Sequence, residues 1–396
     1  EDETGAMWIG TGGGGLCRWK DGRVTRFSVG ASVSANFVFS LYPRPEGGLW
    51  FSAGEGEDLG LFAEQAVQPG VWNLHAVKSI LVDRSGRTWV GTKSSLAWWT
   101  PTDRRVFGTN DGLALSAVRA LAEGPDGTVW SGSDDGTLYR CEPDRVHAFR
   151  AEDALAEQPI WSLLADAEGA VWAGTFWGGL LRFKNGQFFR FTVRQGIPAN
   201  VISQILEDGQ GYLWLGTHQG ILRVSKAGLN AVAEGLTNRV DCIAFGRLDG
   251  LPTLECSDGY QPTCWRARDG RLWFTTIKGV VSINPAKVRG DSPPPPVLVE
   301  ELRVDGEEQD IRSGRVVIAP GHKQFEFRYT ALSFDAARFR YRIVGLDEDW
   351  VDAGNRRTAL YSHVPPGRYR FEVMASDNQG AWSGAGASLE FRVRPR

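Results

Sequence analysis

The sequence predicts an all-β protein: a seven-bladed β-propeller followed by an immunoglobulin/fibronectin-like β-sandwich. Three observations predict it. A Gly-x-x-Trp unit recurs seven times along the chain. Around each copy, apolar and polar residues alternate with the period of two that belongs to strands. Beyond a run of prolines the alternation continues, but the Trp unit stops.

The repeat begins at Gly5-Ala-Met-Trp8 and returns as Gly47-Gly-Leu-Trp50, Gly86-Arg-Thr-Trp89 and Gly127-Thr-Val-Trp130. Gly169-Ala-Val-Trp172, Gly211-Tyr-Leu-Trp214 and Gly270-Arg-Leu-Trp273 complete it. Five of the six tryptophan intervals span 39 to 42 residues and the last spans 59. A period near 40 with strand composition is the mark of propeller blades. Each unit reads as four short strands. Val77 to Val82 is a first strand, Asp83 to Gly86 a turn, and the Trp segment a second strand. Gly179 to Phe183 is a third, and Asn185-Gly186 is a hairpin turn into a fourth, Gln187 to Phe191. The recurring tryptophans are expected to pack between blades. Within the long interval, Ser225 to Ala233 reads as a short helix, although Gly228 disfavours it. Only Glu1 to Thr4 precede the first Trp strand, so blade one lacks a first strand. Either residues upstream of Glu1 or another segment is expected to close the ring.

Composition fits this reading. Tight turns explain 49 glycines, and a repeated structural role explains 16 tryptophans. A formal net charge of −3 leaves no basic footprint for nucleic acid. No apolar run reaches the ~20 residues of a membrane span. The five cysteines, Cys17, Cys141, Cys242, Cys256 and Cys264, have neither disulfide-framework nor zinc spacing. They read as buried reduced thiols, with Cys256 and Cys264 the one candidate pair. No cofactor or metal motif is present.

The expected domains are residues 1–290 for the propeller, 291–297 for a stiff Pro-rich linker and 298–396 for the sandwich. In the last, Phe325 to Tyr329, Phe339 to Ile343, Tyr369 to Val373 and Leu389 to Val393 alternate cleanly.

Together these features resemble a known family. The repeats are similar to two-component regulator propeller repeats (Reg_prop), and the end resembles the Y_Y_Y domain. Tyr341, Tyr361 and Tyr369 match its three tyrosines, supported by Asp349-Trp350, Gly354 to Arg357 and Ala375 to Trp382. Asp249-Gly-Leu-Pro252 to Asn284-Pro285 resembles the family's last blade. The resemblance implies a periplasmic sensor region of a histidine-kinase-type or hybrid receptor, with a transmembrane helix and a cytoplasmic output domain downstream of Arg396. Independently of the resemblance, a change in propeller homodimer geometry passed through the sandwich is the expected route of the signal. Larger members carry two propellers, and one is visible here.

Propeller geometry puts two loop sets on one face. One set holds Asn36, Trp72, His75, Arg119, Trp161, Asn200 and Tyr260. The other holds Glu55, Lys93, Asp134, Phe176, Trp177, His218 and Lys278. Trp72, His75, Arg119, Trp161, Phe176, Trp177, His218 and Tyr260 are the candidate ligand-binding residues. Aromatic rings beside hydrogen-bonding groups suit a sugar or another small polar ligand. For Trp161 and Trp177 core packing competes with this role, and for His75 and His218 a solvated loop position does. Glu55, Glu57 and Asp58 read as a solvated acidic tip. Two rival functions stay open: a surface- or secretion-associated interaction module, and a carbohydrate-active propeller enzyme. Against the enzyme, no triad, metal run or phosphate loop is recognisable.

Overall fold

A computed structural model describes residues 1–64, 66–68, 74–153, 156–288, 296–311, 315–331, 338–376, 382 and 386–395. The chain divides into two compact units, Glu1–Pro285 and Ala286–Arg396. Most of the segment expected as linker, Asp291 to Pro295, lies outside the described residues.

Among the described residues the first unit consists of seven consecutive antiparallel sheets. Sheets two to six are four-stranded meanders, while sheet one (residues 7–27) and sheet seven (residues 264–283) have three strands. From sheet two to sheet seven, the first strand of each sheet lies beside the first strand of the next. These first strands form the inner ring: Val38–Pro43, Val77–Val82, Val118–Glu123, Ile160–Ala165, Ile202–Glu207 and Cys264–Arg266. Sheet one begins with its Trp strand, Met7–Thr11.

The repeat has a hydrogen-bonding reason. Trp8, Trp89, Trp172 and Trp214 donate Nε1–H to Asp2, Asp83, Asp166 and Asp208, six residues earlier, at 2.7 to 2.9 Å. The other carboxylate oxygen accepts the backbone N–H groups two and four residues on, closing the turn. One aspartate thus satisfies a tight turn and a buried indole together. Trp89, Trp172 and Trp214 are fully buried. Sheet seven has Ala267 at the aspartate position, and the buried Nε1 of Trp273 has no partner among the described residues.

Glycine two residues after the Trp serves close approach. A Cβ on Gly91 would lie 2.3 Å from both Ser79 Oγ and the Val118 carbonyl oxygen, where two inner strands converge. The helix Lys226–Ala233 forms despite Gly228. Ser225 caps it by accepting the Gly228 N–H at 3.1 Å, and Leu229 and Val232 are buried beneath it.

The second unit is a sandwich of a four-stranded and a five-stranded sheet. The latter includes one parallel pair, Arg315–Ile318 with Ala387–Val393. Its core is aromatic, with Phe327 and Phe371 stacked at 4.1 Å between the sheets. Of the three tyrosines, Tyr341 is buried, Tyr361 donates to Asp347 at 2.6 Å and Tyr369 stacks on Phe391. Tyr329, absent from that set, is the fully buried one, packed on Phe339, Tyr341 and Phe371. All five cysteines are free thiols. Burial pushes Cys256 up to about 11 and Cys264 up to about 12.

Candidate functional site

The inner strands of sheets two to six share an irregularity. In each, the ladder slips between the first and third residue, leaving the second as a β-bulge. The bulged residues are Phe39, Lys78, Arg119, Trp161 and Ser203. A bulge re-aims a side chain without ending the strand. Five sheets thereby present five different side chains at one structural position.

Four of the five meet loop residues. Phe39 packs at a tilt against Tyr260, ring centroids 5.1 Å apart. Lys78 pairs with Glu57 at 2.5 Å. Arg119 pairs with Asp134 and donates to the Gly259 carbonyl at 3.0 Å. Trp161 stacks on Phe176 at 4.3 Å, and Phe176 in turn meets Trp177 edge-on at 5.4 Å. Trp177 is 57% exposed and holds a backbone φ of +69°. The fifth, Ser203, donates to the Gly216 carbonyl.

The segment Ser257–Gln261, between sheets six and seven, organises the centre. The Gln261 amide accepts the Leu121 N–H at 2.7 Å and donates to the Leu121 carbonyl, imitating a strand partner for sheet four. Asp258 meets His218 of sheet six at 2.5 Å. Gln204 donates to the Ser257 carbonyl at 2.8 Å. Tyr260 lies among Glu57, Arg119 and Asp258. Burial raises its hydroxyl pKa, and the Glu57 charge adds to this while Arg119 opposes it.

Three predicted residues, Arg119, His218 and Tyr260, are thus gathered by one segment. Three more, Trp161, Phe176 and Trp177, form one aromatic stack. His75 pairs with Asp58 at 2.5 Å, with both side chains about 60% exposed. Trp72 lies outside the described residues. Two expectations are corrected. Glu57 is not part of a solvated tip: its side chain is 18% exposed because Lys78 holds it. Asn36 does not offer its side chain outward. It is buried, accepting from the Val29 N–H and donating to the Gly30 and Ser32 carbonyls. Sequence reasoning missed Phe39, Lys78, Asp258 and Gln261. Stacking the five first strands in register would have exposed the first two, since each follows the leading Val or Ile. Charge here is balanced: Lys78, Arg119, His75 and His218 each have a carboxylate partner. Among the described residues no cluster of His, Cys, Asp or Glu is placed to hold a metal ion.

Comparison with known proteins places the chain. Residues 196–219 match the two component regulator propeller family, and residues 330–394 match the Y_Y_Y domain. The chain therefore carries a propeller repeat of the one and a domain of the other. It is similar throughout to the extracellular domain of a hybrid two component system, BT3049 from B. thetaiotaomicron, with a TM-score of 0.78 and 21% identity. The match covers 100% of this chain and 55% of that one. The WD40 β-propeller domain of Doa1 gives a TM-score of 0.52 at 14% identity, over 71% of this chain and 89% of that one. Histidine kinase P4 of Formosa agariphila is 22% identical over 173 residues, which is 40% of this chain and 12% of the kinase. The chain thus spans about half the length of the structural relative and an eighth of the kinase. Among the described residues no helix is long and apolar enough to cross a membrane.

Proposed function

We propose that this chain is the extracytoplasmic ligand-sensing region of a two-component-type receptor, reading a small polar ligand, of which an oligosaccharide fits best. The co-occurrence in one chain of a two component regulator propeller repeat and a Y_Y_Y domain carries the reading. The ligand class rests on the bulge ring. The Trp161–Phe176–Trp177 stack offers apolar faces to sugar C–H groups, and the paired charges beside it offer donors and acceptors to hydroxyls. Trp177 adds a specific observation. A non-glycine residue at positive φ, largely exposed, is held against its intrinsic preference. Such strain collects at binding sites. The receptor's signal would pass through the second unit to a membrane helix and an output domain, with a homodimer as the geometry that changes. A ligand moves such an equilibrium only by its differential affinity.

The test is a thermal-shift screen of the 396-residue chain against plant and microbial oligosaccharides, with product analysis of every incubation. A saturable rise in Tm without turnover, lost in Trp177→Ala, supports the sensor. Turnover moves the protein to the enzymes. No shift with any sugar removes the oligosaccharide reading.

A further inference from the structure

The sandwich holds polar groups that its packing does not use. Tyr329 points inward from the four-stranded sheet and Tyr341 inward from the five-stranded one, with ring centroids 6.1 Å apart. Tyr329 is fully buried, yet its hydroxyl has no hydrogen-bond partner among the described residues. The Tyr341 hydroxyl has none there either. A buried donor left unmade costs free energy, so a native orphan calls for an explanation. Burial raises the pKa of both hydroxyls, and the Arg356 charge opposes this at both. Each therefore stays a donor at neutral pH, within the field of one guanidinium.

Arg356 sits in the turn between Val351–Gly354 and Thr358–Tyr361. That turn is fixed against Tyr329, whose N–H donates to the Arg357 carbonyl at 3.1 Å. The Arg356 Nε donates back to the Ala353 carbonyl at 3.3 Å, which leaves its terminal nitrogens unused among the described residues. Neither Arg356 nor Arg357 has an ion-pair partner there. A cavity of about 330 Å³ opens at this place, lined by Tyr341, Arg356, Arg357, Thr358 and Leu360, none of them acidic. Its size is at the low end of the roughly 300–1,000 Å³ of small-molecule sites. Exposed Arg356, Arg357 and Leu360 form its mouth. The molecule itself shows what such a hydroxyl takes. Tyr361, 6.0 Å from Tyr341, donates to the Asp347 carboxylate at 2.6 Å. The same Asp347 oxygen accepts the Ile343 N–H at 2.5 Å.

We propose that this end of the sandwich is a binding site for a small organic carboxylate. The carboxylate accepts from the Tyr329 and Tyr341 hydroxyls and pairs with Arg356, whose planar fork matches it. It thereby does for two tyrosines what Asp347 does for the third. The site lies wholly within the second unit, apart from the bulge ring, and does not depend on the sugar reading. A simple organic acid and an acidic sugar share this chemistry, and the test separates them.

The probes are sodium acetate and sodium glucuronate, with acetamide and glucose as uncharged counterparts and sodium chloride at matched ionic strength. Each is titrated into the 396-residue protein carrying ring-labelled tyrosine, and NMR follows the ring signals. Those of Tyr329 and Tyr341 are identified by their loss in Tyr329→Phe and Tyr341→Phe. The expected result is a saturable shift of both signals with an acid and none with the uncharged compounds or chloride. A response to acetate assigns the site to simple acids, and a response to glucuronate alone assigns it to acidic sugars. Arg356→Gln should weaken binding at least about tenfold, as loss of a charge-assisted hydrogen bond does. Tyr329→Phe separates a ligand from a stray water. Without acid its Tm should be unchanged or raised, since the orphan donor is gone, and the rise in Tm that the acid gives the parent protein should vanish. A lowered Tm in Tyr329→Phe without acid means that the hydroxyl already has a partner, and overturns the proposal. A Tyr329 signal unmoved by both acids, or moved equally by chloride, also overturns it.

Discussion

Asp208 shows what a single side chain does in this molecule. It accepts two backbone N–H groups with one oxygen and the Trp214 indole with the other. Replacing it with alanine strands a buried indole donor and opens the turn. Asp208→Ala is expected to cost about 2–4 kcal/mol by denaturant unfolding. Trp214→Phe made on top should cost less than it does alone, since its donor no longer needs a partner. Two other aspartates, Asp2 and Asp135, set an acid limit. At Asp2 burial alone would raise the pKa, but the Trp8 and Thr4 hydrogen bonds outweigh it and hold it below 3.8. Asp135 is likewise held low by Ser133, Thr137 and Arg150 against the opposing effect of burial. A depressed folded-state pKa means stability that is fully present above the unfolded value and lost as pH falls through the folded one. Tm should therefore owe no slope to these groups between pH 7 and 5 and should fall below about pH 4. Asp2→Asn should flatten that acid limb; an unchanged limb would remove Asp2 from the account.

At the scale of elements, the bulged first strands separate scaffold from specificity. The first and fourth residues of each strand build the ring, and the second is free to vary. Substitutions at Trp177 test this separation. Trp177→Gly relieves the positive φ and should leave Tm unchanged or slightly raised, while removing the exposed ring from the stack. Loss of sugar response with intact folding is the expected pair of results; a collapse in Tm would return Trp177 to the scaffold. Much of this was legible in the sequence. The Gly-x-x-Trp copies mark the second strands because turn glycines and buried indoles are local chemistry. The helix after Ser225 was legible for the same reason. The Gln261–Leu121 bonds were not, because they join residues 140 apart and Gly-Tyr-Gln-Pro reads only as a turn. Tyr329 was passed over because alternation alone does not say which aromatic of a strand lies deepest.

At the scale of the molecule, each unit has its own closed core. Among the described residues the sandwich core draws only on residues 297 to 393. Residues 286–396 expressed alone should fold, with near-UV circular dichroism from the packed aromatics as the readout. A featureless near-UV spectrum would show that the core needs the first unit. The segment Ser257–Gln261 has a mechanical meaning for that first unit. A hoop holds its curvature more firmly when something spans its hub. Here a strut runs from between sheets six and seven across the centre to sheet four, holding by Gln261 and Arg119. Sheets four, six and seven are thereby tied across the middle as well as along the inner ring.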